Sequence, residues 1–317
     1  MRFRLAALFV ALLACSRRAP PGAHDTEPAA QPKRAPSLAP VAEGMLPAEE
    51  KTWTYERTSV GPMNVVVLLP KRKADQKFPI LITMHGLGEA VKGPERGARG
   101  WVDDYALGRA IERLHAPPLS AEDFHGFLEP ARLARMNESL KAEPYRDLIV
   151  VCPYTPDALR GDEPFSKAPP LARFLVDELV PRVYRETPAL GTPQTTGIDG
   201  VSLGGRAAIT VGLLRPEAFA AVASLQAAFD VEDAGEIAYR ARLARQKNPA
   251  LKFRFLTSDG DYFLRANQAI AKSLEGVGVS HDLVVVPGPH DYEFNRGPGA
   301  IEMLVYHDRV LRGEAPL

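Results

Sequence analysis

Thr195-Thr196-Gly197-Ile198-Asp199-Gly200-Val201-Ser202-Leu203-Gly204-Gly205 is the segment from which the rest of this chain can be read. Its first half is short and β-leaning, as a strand feeding a turn would be. Gly200 to Gly204 then fits G-x-S-x-G, in which a serine occupies a sharp strand-to-helix turn and the flanking glycines let backbone pass where a Cβ would collide. Downstream, Arg206-Ala207-Ala208-Ile209-Thr210-Val211-Gly212-Leu213-Leu214 is rich in small residues, so a helix here can pack closely on a sheet, and Arg215-Pro216 stops it. Such a turn would lift the Ser202 hydroxyl above a sheet edge and aim the Leu203 N–H, at a helix N-terminus, toward developing negative charge.

The 317 residues are 45% hydrophobic, enough for a substantial core, and 39 Lys and Arg balance 39 Asp and Glu. A balanced chain has no global field to draw it to nucleic acid or to acidic surfaces, so partners must be inferred from a site.

Arg2 and Arg4 precede an apolar run over 5–14, the plan of a secretory signal and too short to span a bilayer. Leu12-Leu13-Ala14-Cys15 resembles a bacterial lipoprotein signal, which implies removal of 1–14, lipid on Cys15, and an exported protein held in the cell envelope, in an outer membrane where there is one. Residues 15–50 then read as a Pro/Ala-rich tether, with Pro20, Pro21, Pro28, Pro32, Pro36, Pro40 and Pro47 along it. The one other cysteine, Cys152, lies in the apolar run Leu148-Ile149-Val150-Val151-Cys152 and reads as a small buried hydrophobe.

From 51 to 317 a single folded domain is expected. Strands are expected over 53–56 and 63–70, antiparallel about Gly61-Pro62, and over 78–84, 148–152, 219–225, 251–257 and 282–286. Helices are expected over 103–114, 129–140 and 301–311; Leu171, Phe174, Leu175, Leu179 and Val183 mark another, which Pro181 should kink or interrupt, and Phe263, Ala266, Ile270 and Leu274 one more. The stretch 89–145 is longer than an ordinary connection, and its aromatics suit either a lid over a site or a small core of its own. Strands alternating with helices in this way argue a doubly wound α/β domain with a mainly parallel sheet.

The serine turn resembles that of the α/β-hydrolases. In that class a base and an acid follow the serine in the order Ser, Asp or Glu, His, each on a loop after a late strand, and a His-Gly step after an earlier strand supplies a second oxyanion donor. Of the histidines after Ser202, His307 falls inside the last helix and His281 precedes a strand, whereas His290 follows the strand Leu283 to Val286 and a turn; it is the expected base. Asp261 is the expected acid, ahead of Asp259, read as a turn residue, and of Asp230; Asp291 reads as a local loop former. By the same resemblance, Leu87 and then Gly88 pair with Leu203 as oxyanion donors, and His85 is read as a structural residue of that loop rather than a base.

More narrowly, the chain is similar over about 63–311 to the family described as "putative esterase", which includes S-formylglutathione hydrolases, feruloyl esterases and mycolyltransferases. The resemblance rests on Val65-Val66-Val67-Leu68-Leu69-Pro70, His85-Gly86, Asp177-Glu178-Leu179-Val180-Pro181, the Gly200 to Gly205 turn, Pro216-Glu217-Ala218-Phe219, Asp261-Tyr262-Phe263-Leu264 and Pro289-His290-Asp291. It implies a serine hydrolase of carboxylic esters with no metal or organic cofactor, acting through Ser202, His290 and Asp261. Gln226 and Ala227 depart from it, standing where many members have Ser-Gly. A peptidase or thioesterase on the same fold, or a non-catalytic binding lipoprotein, are the alternatives, since a triad does not itself choose the leaving group.

Overall fold

A computed structural model describes residues 49–157 and 163–317. The signal, Cys15 and all of the expected tether except Glu49 and Glu50 lie outside the described residues. Eight strands form one sheet: β1 (Glu49–Tyr55), β2 (Met63–Leu69), β3 (Ile80–Met84), β4 (Ile149–Pro153), β5 (Thr196–Gly200), β6 (Ala221–Leu225), β7 (Lys252–Gly260) and β8 (Asp282–Pro289). Their order is β1-β2-β4-β3-β5-β6-β7-β8. The two pairings made by β2 are antiparallel and every other is parallel. β1 includes Glu49 and Glu50, which the sequence reading placed at the end of the tether. Glu49 and Glu50 pair with Leu69 and Leu68 through backbone alone, and their exposed side chains carry no apolar signal.

Alternate strand residues feed two cores, one on each face. Val65, Val67, Ile80 and Ile82 enter one; Val66, Leu68, Leu81, Val150 and Cys152 enter the other. Covering the second face are α1 (Leu107–Leu114) and α2 (Pro130–Ala142), and against them the C-terminal helix that ends the fold. Covering the first are α3, running through Pro169–Arg173, Phe174–Leu179 and Val180–Glu186, then α4 (Leu203–Leu214), α5 (Ala234–Lys247) and α6 (Leu264–Gly276). The C-terminal helix is α7 (Ala300–Val310).

Three features differ from expectation. Pro181 does not interrupt α3: the residues just before it, Phe174–Leu179, form a π-helical turn, and this local widening accommodates the backbone bond that proline cannot donate. The helix expected from 103 starts at Leu107, because Gly100–Asp104 is a separate π turn and Ala106 adopts left-handed φ 51°. In the stretch 89–145, Trp101, Tyr105 and Phe124 are buried with α7 against the sheet, so they form a layer of the main core.

Candidate active site

β5 ends at Gly200, and the chain reverses through Ser202 at φ 55°, ψ −116° into α4. A left-handed φ is strained for serine and is held by its surroundings. A Cβ on Gly204 would collide with the Met84 carbonyl, and one on Gly200 with the Gly204 carbonyl, so both glycines are required by the tightness of this turn. The turn is tied to both neighbouring strands: Val201 N–H donates to Met84 O at 3.0 Å, and Ser202 N–H to Leu225 O at 2.9 Å.

The expected acid and base meet. His290 follows β8, Asp261 follows β7, and His290 Nδ1 lies 2.7 Å from Asp261 Oδ1. The Asp261 side chain is fully buried, with Oδ2 accepting from Thr257 Oγ1 at 2.5 Å and Oδ1 also from Phe263 N–H at 3.0 Å. A carboxylate so surrounded by donors fixes the imidazole tautomer: Nδ1 carries the proton and Nε2 keeps its lone pair. The rings of Tyr262 and Phe263 flank His290, each 5.5 Å away. Among the described residues no hydrogen bond joins Ser202 Oγ to His290.

The other candidates have structural partners. Asp259 Oδ1 accepts from Gly288 N–H at 3.0 Å and shapes the turn ahead of His290. Asp230 caps the turn Val231–Asp233, and Asp291 caps Tyr292–Phe294 by accepting from Phe294 N–H. His281 bonds to Val279 O before β8, and His307 is buried in α7 against Asp199, with Nε2 3.0 Å from Oδ2.

Leu87 and Leu203 each occupy the first position of a helical segment, Leu87–Ala90 and α4, where the N–H has no partner within the helix. The two segments pack together, since an ideal Cβ on Gly86 would lie 3.7 Å from Ser202 Cβ. His85 serves this loop as a neutral scaffold. Its Nε2 accepts from Thr155 N–H at 2.8 Å, so Nδ1 donates to Gly86 O at 2.9 Å. Burial lowers its pKa to about 4, which suits a ring that must stay uncharged.

Sequence reasoning missed a cluster beside this loop. The Glu89 carboxylate, 1% exposed, accepts from the hydroxyls of Tyr105 and Tyr292, the latter at 2.7 Å, with Lys92 Nζ 3.6 Å away. Tyr105 in turn accepts from Gly86 N–H at 3.1 Å. Burial first, then the adjacent carboxylate, push the Tyr292 hydroxyl up to about 12, so it remains a donor. Glu89 thereby joins the loop after β3 to the segment carrying His290 across 203 positions of sequence, a distance no local pattern could signal. Gly88 leaves room for the contact: a Cβ there would lie 2.7 Å from the Tyr292 hydroxyl.

The strand order and the strained serine turn are those of the α/β-hydrolase fold. Residues 149–282, from β4 to the start of β8, match the family model described as "Putative esterase". No curated protein matches its sequence. Among solved structures, a ferulic acid esterase is 17% identical with a TM-score of 0.61, covering 83% of this chain and 98% of its own. The S-formylglutathione hydrolase FrmB of Staphylococcus aureus is 16% identical with a TM-score of 0.58, covering 82% and 98%. A ferulic acid esterase of the anaerobic fungus Anaeromyces mucronatus is 17% identical with a TM-score of 0.54, covering 83% and 95%. At these identities the likeness is one of fold.

Proposed function

We propose that the protein hydrolyses carboxylic esters through an acyl-enzyme on Ser202. His290 Nε2 takes the hydroxyl proton as Oγ attacks the ester carbonyl; the tetrahedral oxyanion is held by the N–H groups of Leu203 and Leu87, with Gly88 next to them. The imidazolium then protonates the departing alkoxide, and water, activated by the same nitrogen, releases the acid and restores Ser202. Asp261 orients the ring and stabilises its charged form. The observation that carries this reading is the buried Asp261 carboxylate 2.7 Å from His290 Nδ1, on strands parallel to the one that ends in the strained turn at Ser202. The sequence of the N-terminus adds the proposal that lipid on Cys15 holds this domain at an envelope membrane.

A fluorophosphonate probe tests the reading directly. It should label Ser202, and Ser202→Ala should lose labelling and fall on the order of a million-fold in turnover of p-nitrophenyl acetate. A Ser202→Ala protein that still labels and turns over would end the proposal.

A further inference from the structure

Gln226 is the first residue after β6, fully buried, with left-handed φ 46°. Its N–H donates to Leu256 O at 2.7 Å, and its side-chain Nε2 donates to Ser258 Oγ at 2.7 Å and to Pro289 O at 2.9 Å. The amide orientation is fixed by chemistry, since the Pro289 carbonyl can only accept. This leaves the buried Oε1 with no protein partner among the described residues. A side chain kept for packing alone would do better as an apolar residue of the same length, which buries no orphan acceptor.

What the amide holds is the peptide that leads into His290. The β7–β8 ladder shifts register between Ser258 and Gly260, so regular strand pairing is broken just where β8 delivers the imidazole. The Pro289 carbonyl belongs to the peptide unit whose nitrogen is that of His290, and the Gln226 amide holds it. Because the peptide unit is planar, fixing that oxygen also fixes the plane containing His290 N and Cα. Ser258, the second acceptor, also receives the Asp261 N–H on its carbonyl at 3.2 Å, so one amide ties together the segments that carry the base and the acid.

We propose that Gln226 is a positioning residue: it sets the approach of His290 to Asp261 and Ser202. The inference rests on the proposed roles of those three residues. The full chain carrying Gln226→Met, which keeps length and removes the donors, should lose about tenfold to a hundredfold in kcat on p-nitrophenyl acetate with KM within about twofold. Gln226→Glu puts a carboxyl against the Pro289 carbonyl and, in its ionised form, removes the donor and places negative charge beside the peptide that leads into His290. It should lose kcat similarly and move the acid limb of the kcat/KM profile upward by about half a pH unit or more, a displacement that loosened packing alone would not produce. Either variant decides by itself, so a misfolded Gln226→Met leaves the Gln226→Glu profile to rule. Wild-type kcat in Gln226→Met, or an unmoved acid limb in Gln226→Glu, overturns this role. If Ser202→Ala is inert in the same assay, the hydrolase reading survives that result; if Ser202→Ala is active, it is the underlying reading that fails.

Discussion

Replacing Asp261 by Asn separates the charge of the acid from its geometry. Oδ1 receives two N–H groups, from His290 at 2.7 Å and Phe263 at 3.0 Å, so the Asn carbonyl must take that side. Its NH2 then faces Thr257 Oγ1, a hydroxyl that can accept as readily as donate. The contacts persist and the negative charge is gone. With charge centres about 4 Å apart and an effective dielectric near 20, the lost attraction for the imidazolium is about 4 kcal/mol, or roughly a thousandfold in rate. The carboxylate is fully buried, so water does little to screen this. We expect Asp261→Asn to lose about a thousandfold in kcat on p-nitrophenyl acetate while its melting temperature moves by only a few degrees. Asp259→Asn is the control: an Asn oxygen can still accept from Gly288 N–H, and activity should stay within about threefold. Retention of more than about a tenth of the activity in Asp261→Asn, or equal losses in the two variants, would refute the assignment.

Two further expectations concern stability. His85 is neutral in the fold with its pKa lowered to about 4, whereas the unfolded chain titrates near 6.5. Between those values the unfolded state binds more protons, so stability is lost as the pH falls through this window, by on the order of 3 kcal/mol in all. Urea midpoints across the window should show this slope, and His85→Gln should flatten it; parallel slopes would contradict the assignment of the loss to His85. Gly204→Ala drives a methyl group into the carbonyls of Met84 and His85, and should cost about 3 kcal/mol in thermal or urea unfolding together with loss of fluorophosphonate labelling. A fully stable, labelled Gly204→Ala protein would show that the turn can relax.

The sheet and the serine turn were legible because their signals are local. β3, apolar but for Thr83, and β4 stand out as apolar runs, and the turn announces itself by glycines whose need is steric. The contact of His290 with Asp261 was legible through the order of groups that the α/β-hydrolase resemblance implies, each on a loop after a late strand. Helix α5 went unread because its buried face is built from Ala234, Ala238, Ala241 and Ala244 around a single Ile237, and alanine gives little contrast against a charged, equally helix-prone outer face. Pro181 misled because the rule against internal proline assumes a regular α-helix, and the π turn before it supplies the exception. Glu89 with its two tyrosines, and the reach of Gln226 to Pro289, depend on tertiary proximity alone and leave no trace in spacing.

The rim is rigid because hydrogen bonding continues across it after each strand has ended. Val201 N–H reaches back to Met84 O on β3, Ser202 N–H crosses to Leu225 O on β6, Gln226 N–H to Leu256 O on β7, and the Gln226 amide to Pro289 O on β8. Each link starts from a residue that has just left a strand or from the side chain of one, so the turns inherit the order of the sheet although they are formally loops. Such anchoring would answer the central difficulty of the site proposed from residues 202, 261 and 290, in which small errors of placement are costly in rate. Residues 87–92 and 290–296 are tied differently, through the buried Glu89 carboxylate and the hydroxyl of Tyr292, whose ring is 40% exposed at this edge. On the roles proposed for these residues the reacting groups are held at strand ends, so substitutions in the loops joined through Glu89 and Tyr292 should change the ester accepted more than the rate of its cleavage.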